Sequence, residues 1–137
     1  MRRPEEVFVF VRRGEEYLIL HRSKEQGAYW HSVAGGLEEG EGFAAAAARE
    51  LREETGLEAP LVQLDRRFVY RLEEWEPRYR PEGGEIRVEC FLAEAPASWE
   101  PSLDWEHDDY RWCRPQQGAE LLFWPEPREL LQDLDAQ

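Results

Sequence analysis

The chain has 137 residues, 34% of them charged and 42% hydrophobic, with six tryptophans and a formal net charge of −13. That composition excludes a disordered chain, and the size allows one domain, 1–137, with a real core. The acid excess excludes a broad nucleic-acid surface, which needs a basic footprint. No apolar run approaches the roughly 20 residues that cross a bilayer, so the cytoplasm is the expected compartment.

Residues 6–13 (EVFVFVRR) and 16–22 (EYLILHR) are β-rich runs meeting at Gly14, which predicts a hairpin. Residues 29–36 (YWHSVAGG) read as a short extended piece ending in a glycine turn. A helix of about four turns is expected from near Gly42 to Thr55. Gly56 should stop it, because glycine tolerates the positive φ of a helix C-terminus. Residues 61–72 alternate as a long strand, and 73–85, with two prolines and two glycines, read as a long loop. Residues 86–95 return as a strand with Ile86, Val88, Cys90 and Leu92 on one face and Phe91 on the other. A short strand at 108–114 and an amphipathic helix at 125–136 complete the order β-β-β-α-β-β-β-α, a mixed α/β domain. Cys90 and Cys113 fall in strands without CxxC spacing and read as buried thiols, with neither a disulfide nor zinc expected.

The predicted helix raises a physical question. Glu50, Glu53 and Glu54 fall within an arc of roughly 100° on a helix of about 3.6 residues per turn. Each like-charge pair at such spacing costs an isolated helix on the order of 0.2–0.5 kcal/mol. The acids also crowd the negative end of the helix dipole, where carboxylates are least favoured. Arg49 and Arg52 could neutralise them as a solvated ladder. The context argues otherwise, since five alanines, 44–48, precede the acids and allow close backbone approach. Leu51, Ala44 and Ala48 form a separate stripe expected to face the sheet. The glycine turn before the helix can direct carbonyl oxygens to the acidic face. Oxygen donors of this kind suit Mg²⁺ or Mn²⁺. A bound cation would also let an anionic substrate enter an acidic protein.

Gly35, five residues, Glu41, seven residues, then Arg49-Glu50-Leu51, Glu53-Glu54 and Gly56-Leu57 fill nine positions at fixed spacing over 23 residues. This pattern resembles the complete signature of the Nudix hydrolases. The resemblance implies a Nudix-type α/β/α sandwich with a mixed β-sheet. It also implies an enzyme that hydrolyses nucleoside diphosphate derivatives with Mg²⁺ or Mn²⁺ as cofactor. It assigns Glu50, Glu53 and Glu54 as metal ligands, with Glu50 or Glu53 helping to deprotonate water, and the Gly35 carbonyl as a backbone ligand. Arg49 would orient the carboxylates, and Glu41 would brace the junction of loop and helix at the substrate side.

The wider stretch 18–41 is similar to the branch that hydrolyses dATP and dihydroneopterin triphosphate, although Ala34-Gly35-Gly36 departs from that branch at the turn. Residues 106–112 (EHDDYRW) resemble its E-H-x-x-Y-x-W segment, whose glutamate is a further ligand. That role passes to Glu106, with Asp104, Asp108 and Asp109 as rivals. Arg22 matches a phosphate-contacting position, and Trp30 and Ala34 complete the candidate substrate-side set. His31 and His107 are read as bland residues. In 73–85 and just before it, Trp75 and Tyr79 alternate with Arg71, Arg78 and Arg80, and could stack a base or grip phosphate. The expected partner is a small-molecule nucleotide, with a second copy of the chain as a candidate. Dinucleoside polyphosphates, ADP-ribose and nucleotide sugars are the alternative substrates. A non-catalytic nucleotide-binding module and an isomerase are the rival functions; the isomerase branch needs a cysteine and a histidine where Ala34 and Gly36 stand.

Overall fold

The computed structural model describes residues 4–71 and 85–135. Strand β1 (Glu5–Arg13) turns at Gly14-Glu15 into β2 (Glu16–Arg22), as the hairpin reading expects. The two strands pair only beside the turn, at Arg12↔Tyr17 and Arg13↔Glu16. The segment 30–36 is divided between them, with β3 (Trp30–His31) on β2 and β4 (Val33–Gly36) on β1. The buried Ser32 at the break donates its hydroxyl to the Val9 carbonyl at 2.7 Å. Helix α1 (Phe43–Thr55) follows and ends at Gly56, whose φ is 83°.

Beyond the helix, β5 (Leu61–Arg71) pairs antiparallel with β6 (Glu85–Glu94), and β6 runs parallel to β1 over Glu5–Arg12. Strand β7 (His107–Cys113) lies antiparallel to β2. Two helices close the chain, α2 (Pro115–Leu121) and α3 (Pro125–Asp135). The sheet is therefore mixed, as expected.

Alternation along β1 explains why both faces are covered. Val7, Val9 and Val11 point to one side and pack with Ala46, Ala47, Leu51 and Phe91. Phe8 and Phe10 point to the other and pack with Ile86, Val88, Cys90, Leu92, Leu122, Leu130 and Leu131. Helix α1 thus covers one face, and α2 with α3 the other. The assigned faces of β6 agree with its sequence alternation, and Cys90 and Cys113 are buried free thiols. Burial pushes the Cys90 thiol up to about 12.

Two expectations need correction. The alanine stripe that packs on the sheet is Ala46 and Ala47 with Leu51, while Ala44 and Ala48 are exposed. The buried arc also takes in Glu54 and Thr55, so α1 is rotated to turn part of its acidic flank inward. The element order is also longer than expected, because 29–36 divides into two strands and α2 lies before the last helix. The loop expected at 73–85 lies outside the described residues, except for Glu85 at the start of β6. Among the described residues no helix is long and apolar enough to cross a membrane.

Candidate active site

The site is built where α1 crosses the glycine turn. Strand β4 is held on β1 through Glu6↔Gly36 and Val7↔Gly35, which fixes the turn beneath the helix. Arg49 ties the two together. Its Nε donates to Glu41 Oε2 at 2.8 Å, and its Nη2 to Glu41 Oε1 at 3.0 Å and to the Gly36 carbonyl at 2.9 Å. Its Nη1 donates to Glu50 Oε1 at 2.6 Å and to Glu53 Oε1 at 3.1 Å. The Glu41 carboxylate holds the guanidinium proton more firmly than usual, partly opposed by burial and helped by Glu50. Glu41 also accepts the Glu38 N–H at 2.9 Å, which suits a brace between loop and helix.

Gly35 shows how tight this junction is. A Cβ there would lie 2.3 Å from both Cδ and Oε2 of Glu50, closer than side-chain contacts allow. The glycine leaves the room that the Glu50 carboxylate takes up. Ala34 pairs with Phe8 and packs on the core, one residue from that contact.

The three signature acids differ sharply in exposure. The Glu53 side chain is 53% exposed, that of Glu50 13% and that of Glu54 2%. Neither carboxylate oxygen of Glu54 has a hydrogen-bond partner. Burial raises its pKa well above the ordinary glutamate range, and the nearby Glu50, Glu106 and Asp104 raise it further. Glu106 is raised as well, by burial first and then by Asp104, with Arg22 opposing. The rival acids divide accordingly. Asp104 acts on both Glu54 and Glu106, Asp108 accepts His21 Nδ1 at 2.6 Å, and Asp109 accepts the Tyr110 N–H.

Segment 102–107 is docked on the end of α1 by the Ser102 N–H, which donates to the Thr55 carbonyl at 2.8 Å. It is docked on the end of β2 by the Ser23 N–H, which donates to the Glu106 carbonyl at 2.8 Å. These two bonds bring a distant stretch of chain onto the signature helix. They also bring His107, a residue the sequence reading passed over. Its ring is buried, with Nδ1 2.9 Å from Asp104 Oδ1 and Nε2 3.6 Å from Glu54 Oε1. Its place one residue after a candidate ligand was the available signal.

On the substrate side, Arg22 Nε donates to the Gln26 carbonyl at 3.1 Å and Nη2 to Gln26 Oε1 at 2.9 Å. Its guanidinium carbon sits 5.6 Å from the Tyr29 ring centre. Tyr29 in turn meets Phe123 at 5.3 Å and Trp124 at 6.0 Å, an aromatic group that only the fold assembles. Trp30 is half-buried against the core, with the Arg111 guanidinium 5.0 Å from its ring centre, in keeping with a wall. His31 is half-buried, and its ring is pushed down to about 3, by desolvation first and then by Arg22. Two surface cavities of about 270 Å³ lie elsewhere, one lined by Ala48, Leu51 and Leu57 and the other by Leu64, Leu130 and Leu134.

The donor set fits a hard divalent cation. All the donors are oxygens; Arg49 offsets Glu50 and Glu53, while both oxygens of Glu54 are buried without hydrogen-bond partners among crowding acids. As the side chains stand, no three His, Cys, Asp or Glu among the described residues close around one point; Glu50 and Glu53 rest on Arg49 instead.

An α/β/α sandwich with an arginine-braced acidic helix over a glycine turn is the class of protein that fold and site define. The NUDIX domain profile matches residues 2–134, and the chain belongs to that family. An octanoyltransferase from Myxococcus xanthus is 40% identical over 113 residues, which make up 80% of this chain and 30% of that protein. The chain thus spans under a third of that relative's length. Among solved structures, the E. coli dihydroneopterin triphosphate pyrophosphohydrolase has a TM-score of 0.84 at 24% identity, covering 96% of this chain and 94% of that one. A C. elegans Ap4A hydrolase, solved as a binary complex, has a TM-score of 0.76 at 23% identity, covering 96% and 95%. These two are likenesses of fold. The family whose domain the chain carries is the one its nine-position signature resembles, and hydrolases of that family generally use divalent metals.

Proposed function

We propose that the chain is a divalent-metal-dependent hydrolase of the diphosphate linkage in a nucleoside diphosphate derivative. The substrate is a (deoxy)nucleoside triphosphate or dihydroneopterin triphosphate, split into a monophosphate and pyrophosphate. The observation that carries this reading is Glu54, whose two buried oxygens have no partner although three other acids act on it. An arrangement this costly in the bare protein has a physical reason if a cation completes it.

Glu50, Glu53, Glu54, Glu106 and the Gly35 carbonyl would hold Mg²⁺ or Mn²⁺. The cation would offset charge on the phosphoryl oxygens and acidify the attacking water. Arg49 tethers Glu50 and Glu53 while itself gripping Glu41 and the Gly36 carbonyl, which keeps both acids beside the glycine turn. Glu50 or Glu53 takes the proton from water as it attacks phosphorus. Arg22, anchored on Gln26, offers positive charge on the side of Glu106, where the phosphates would lie.

The deciding experiment is a chromatographic screen with Mg²⁺ or Mn²⁺ over deoxynucleoside triphosphates, dihydroneopterin triphosphate, dinucleoside polyphosphates, ADP-ribose and nucleotide sugars. Monophosphate plus pyrophosphate from a triphosphate supports the reading. Cleavage confined to ADP-ribose or a dinucleotide overturns the substrate, and no cleavage of any overturns the activity.

A further inference from the structure

Leu122, Phe123 and Trp124 form the whole link between α2 and α3. Leu122 is buried in the core, whereas Phe123 turns outward with 56% of its surface exposed. An exposed phenylalanine alone is ordinary. This one is held from several sides. Its ring centre lies 5.3 Å from that of Tyr29, tilted by 36°, and 4.9 Å from that of Trp124, edge-on at 88°. Trp124 also meets Tyr29 edge-on at 6.0 Å, so the three rings brace one another. The backbone is pinned as well. The Phe123 N–H donates to the Trp30 carbonyl at 3.2 Å, and Arg128 Nη2 donates to the Leu122 carbonyl at 2.9 Å. An apolar ring kept in water yet fixed in place is preorganised for a flat ligand.

The surroundings select the kind of ligand. The Arg22 N–H donates to the Tyr29 carbonyl at 2.9 Å, and the Arg22 guanidinium carbon stands 5.6 Å from the Tyr29 ring centre. The next residue, Ser23, donates its N–H to the Glu106 carbonyl at 2.8 Å. The connection between β2 and β3 thus joins the braced rings, through a cation, to a candidate metal ligand. That order suits a ligand with an aromatic ring at one end and an anionic chain at the other. A second copy of this chain, with its net charge of −13, would bring like charge instead. The Tyr29–Phe123 separation is below the roughly 7 Å needed to slide a ring between them, so the exposed face of Phe123 is the surface available.

We propose that Phe123, braced by Tyr29 and Trp124, is the platform on which the heteroaromatic ring of the substrate stacks while its phosphates run past Arg22 toward Glu106. The proposal rests on the reading of the substrate as a ring-bearing triphosphate.

The test is calorimetry on the full chain with Mg²⁺ and two probes. One is the α,β-methylene analogue of dATP; the other is methylenediphosphonate, which keeps the P–C–P unit without sugar or base. Phe123→Ala should weaken the dATP analogue about 5- to 150-fold, the range of one lost base stack, and leave methylenediphosphonate within about twofold. Phe123→Tyr keeps the stacking face and should bind the dATP analogue within about threefold of wild type. Unchanged affinity for the dATP analogue in Phe123→Ala overturns the proposal, as does an equal loss for both probes. A loss in Phe123→Tyr as large as in Phe123→Ala overturns it too. If Phe123→Ala instead lowers the particle mass in light scattering with both affinities unchanged, the ring belongs to a contact between copies and the proposal falls. Calorimetry needs no turnover, which separates the two readings. A wild type that binds the dATP analogue through Phe123 but cleaves no triphosphate loses the activity and keeps the stacking site. One that cleaves dATP while Phe123→Ala binds its analogue unchanged keeps the activity and loses the stacking site.

Discussion

Replacing Gly35 by alanine should leave the fold intact and disable the site. The new Cβ would sit 2.3 Å from Glu50 Cδ, against an ordinary contact of at least 3.4 Å, so the carboxylate must retreat by about 1.1 Å. The retreating group is the end of a flexible side chain and Gly35 has no positive φ, so melting should fall by only a few degrees. The chemistry should suffer far more. A displacement of about 1 Å in a catalytic group costs on the order of 100-fold in rate, or about 2.7 kcal/mol of barrier. It would also pull Glu50 from its 2.6 Å bond to Arg49. Gly36→Ala is the matched control, since its nearest neighbour would be the Glu5 carbonyl at 3.8 Å, an ordinary contact. Pyrophosphate release and thermal melting, measured on both variants, decide the matter. Unchanged kcat/KM in Gly35→Ala, or an equal loss in Gly36→Ala, would refute the reasoning.

Glu50→Gln and Glu53→Gln should each lower turnover at least about 100-fold with melting preserved; full activity in both would remove the site assignment. Arg49→Lys keeps the charge but not the fork that grips Glu41 and Gly36, and should lose about tenfold or more in kcat/KM, whereas wild-type activity would deny Arg49 its orienting role. Glu106→Gln should weaken turnover less than Glu50→Gln; greater damage from Asp104→Asn would transfer the ligand role to Asp104. For pH, the raised pKa of Glu54 means that the folded chain binds this proton more tightly than the unfolded one. That stabilisation is full below the ordinary value of 4.5 and is lost as pH rises through the raised folded value. Metal-free Glu54→Gln should therefore melt above wild type at pH 8, with the gap closing toward acid, and a gap independent of pH would contradict this.

Strong periodicity made most of the fold legible. The valine–phenylalanine alternation of β1 and the alternation of β6 marked strands whose two faces are both used. The α2 helix was missed because seven residues with a central glycine have weak helical propensity. Gly118 is there for packing, since a Cβ would meet Leu131 at 2.8 Å and Ile19 at 3.3 Å. The alanine stripe was misplaced for a related reason. Spacing fixes which residues share a face but not which face turns inward. Within the site, local spacing revealed the signature acids and their arginine. The approach of His107 to Glu54 was hidden, because it depends on the docking of 102–107 by Ser23 and Thr55, contacts far apart in sequence.

The most direct measurement is a Mn²⁺ titration followed by the electron paramagnetic resonance of the free ion. It is run on wild type and Glu50→Gln with an α,β-methylene deoxynucleoside triphosphate present. The account predicts that wild type removes the free-ion signal and that Glu50→Gln leaves most of it at the same protein concentration. A full free-ion signal with wild type, or equal uptake by both, would contradict the claim that these crowded acids exist to hold a cation against a diphosphate.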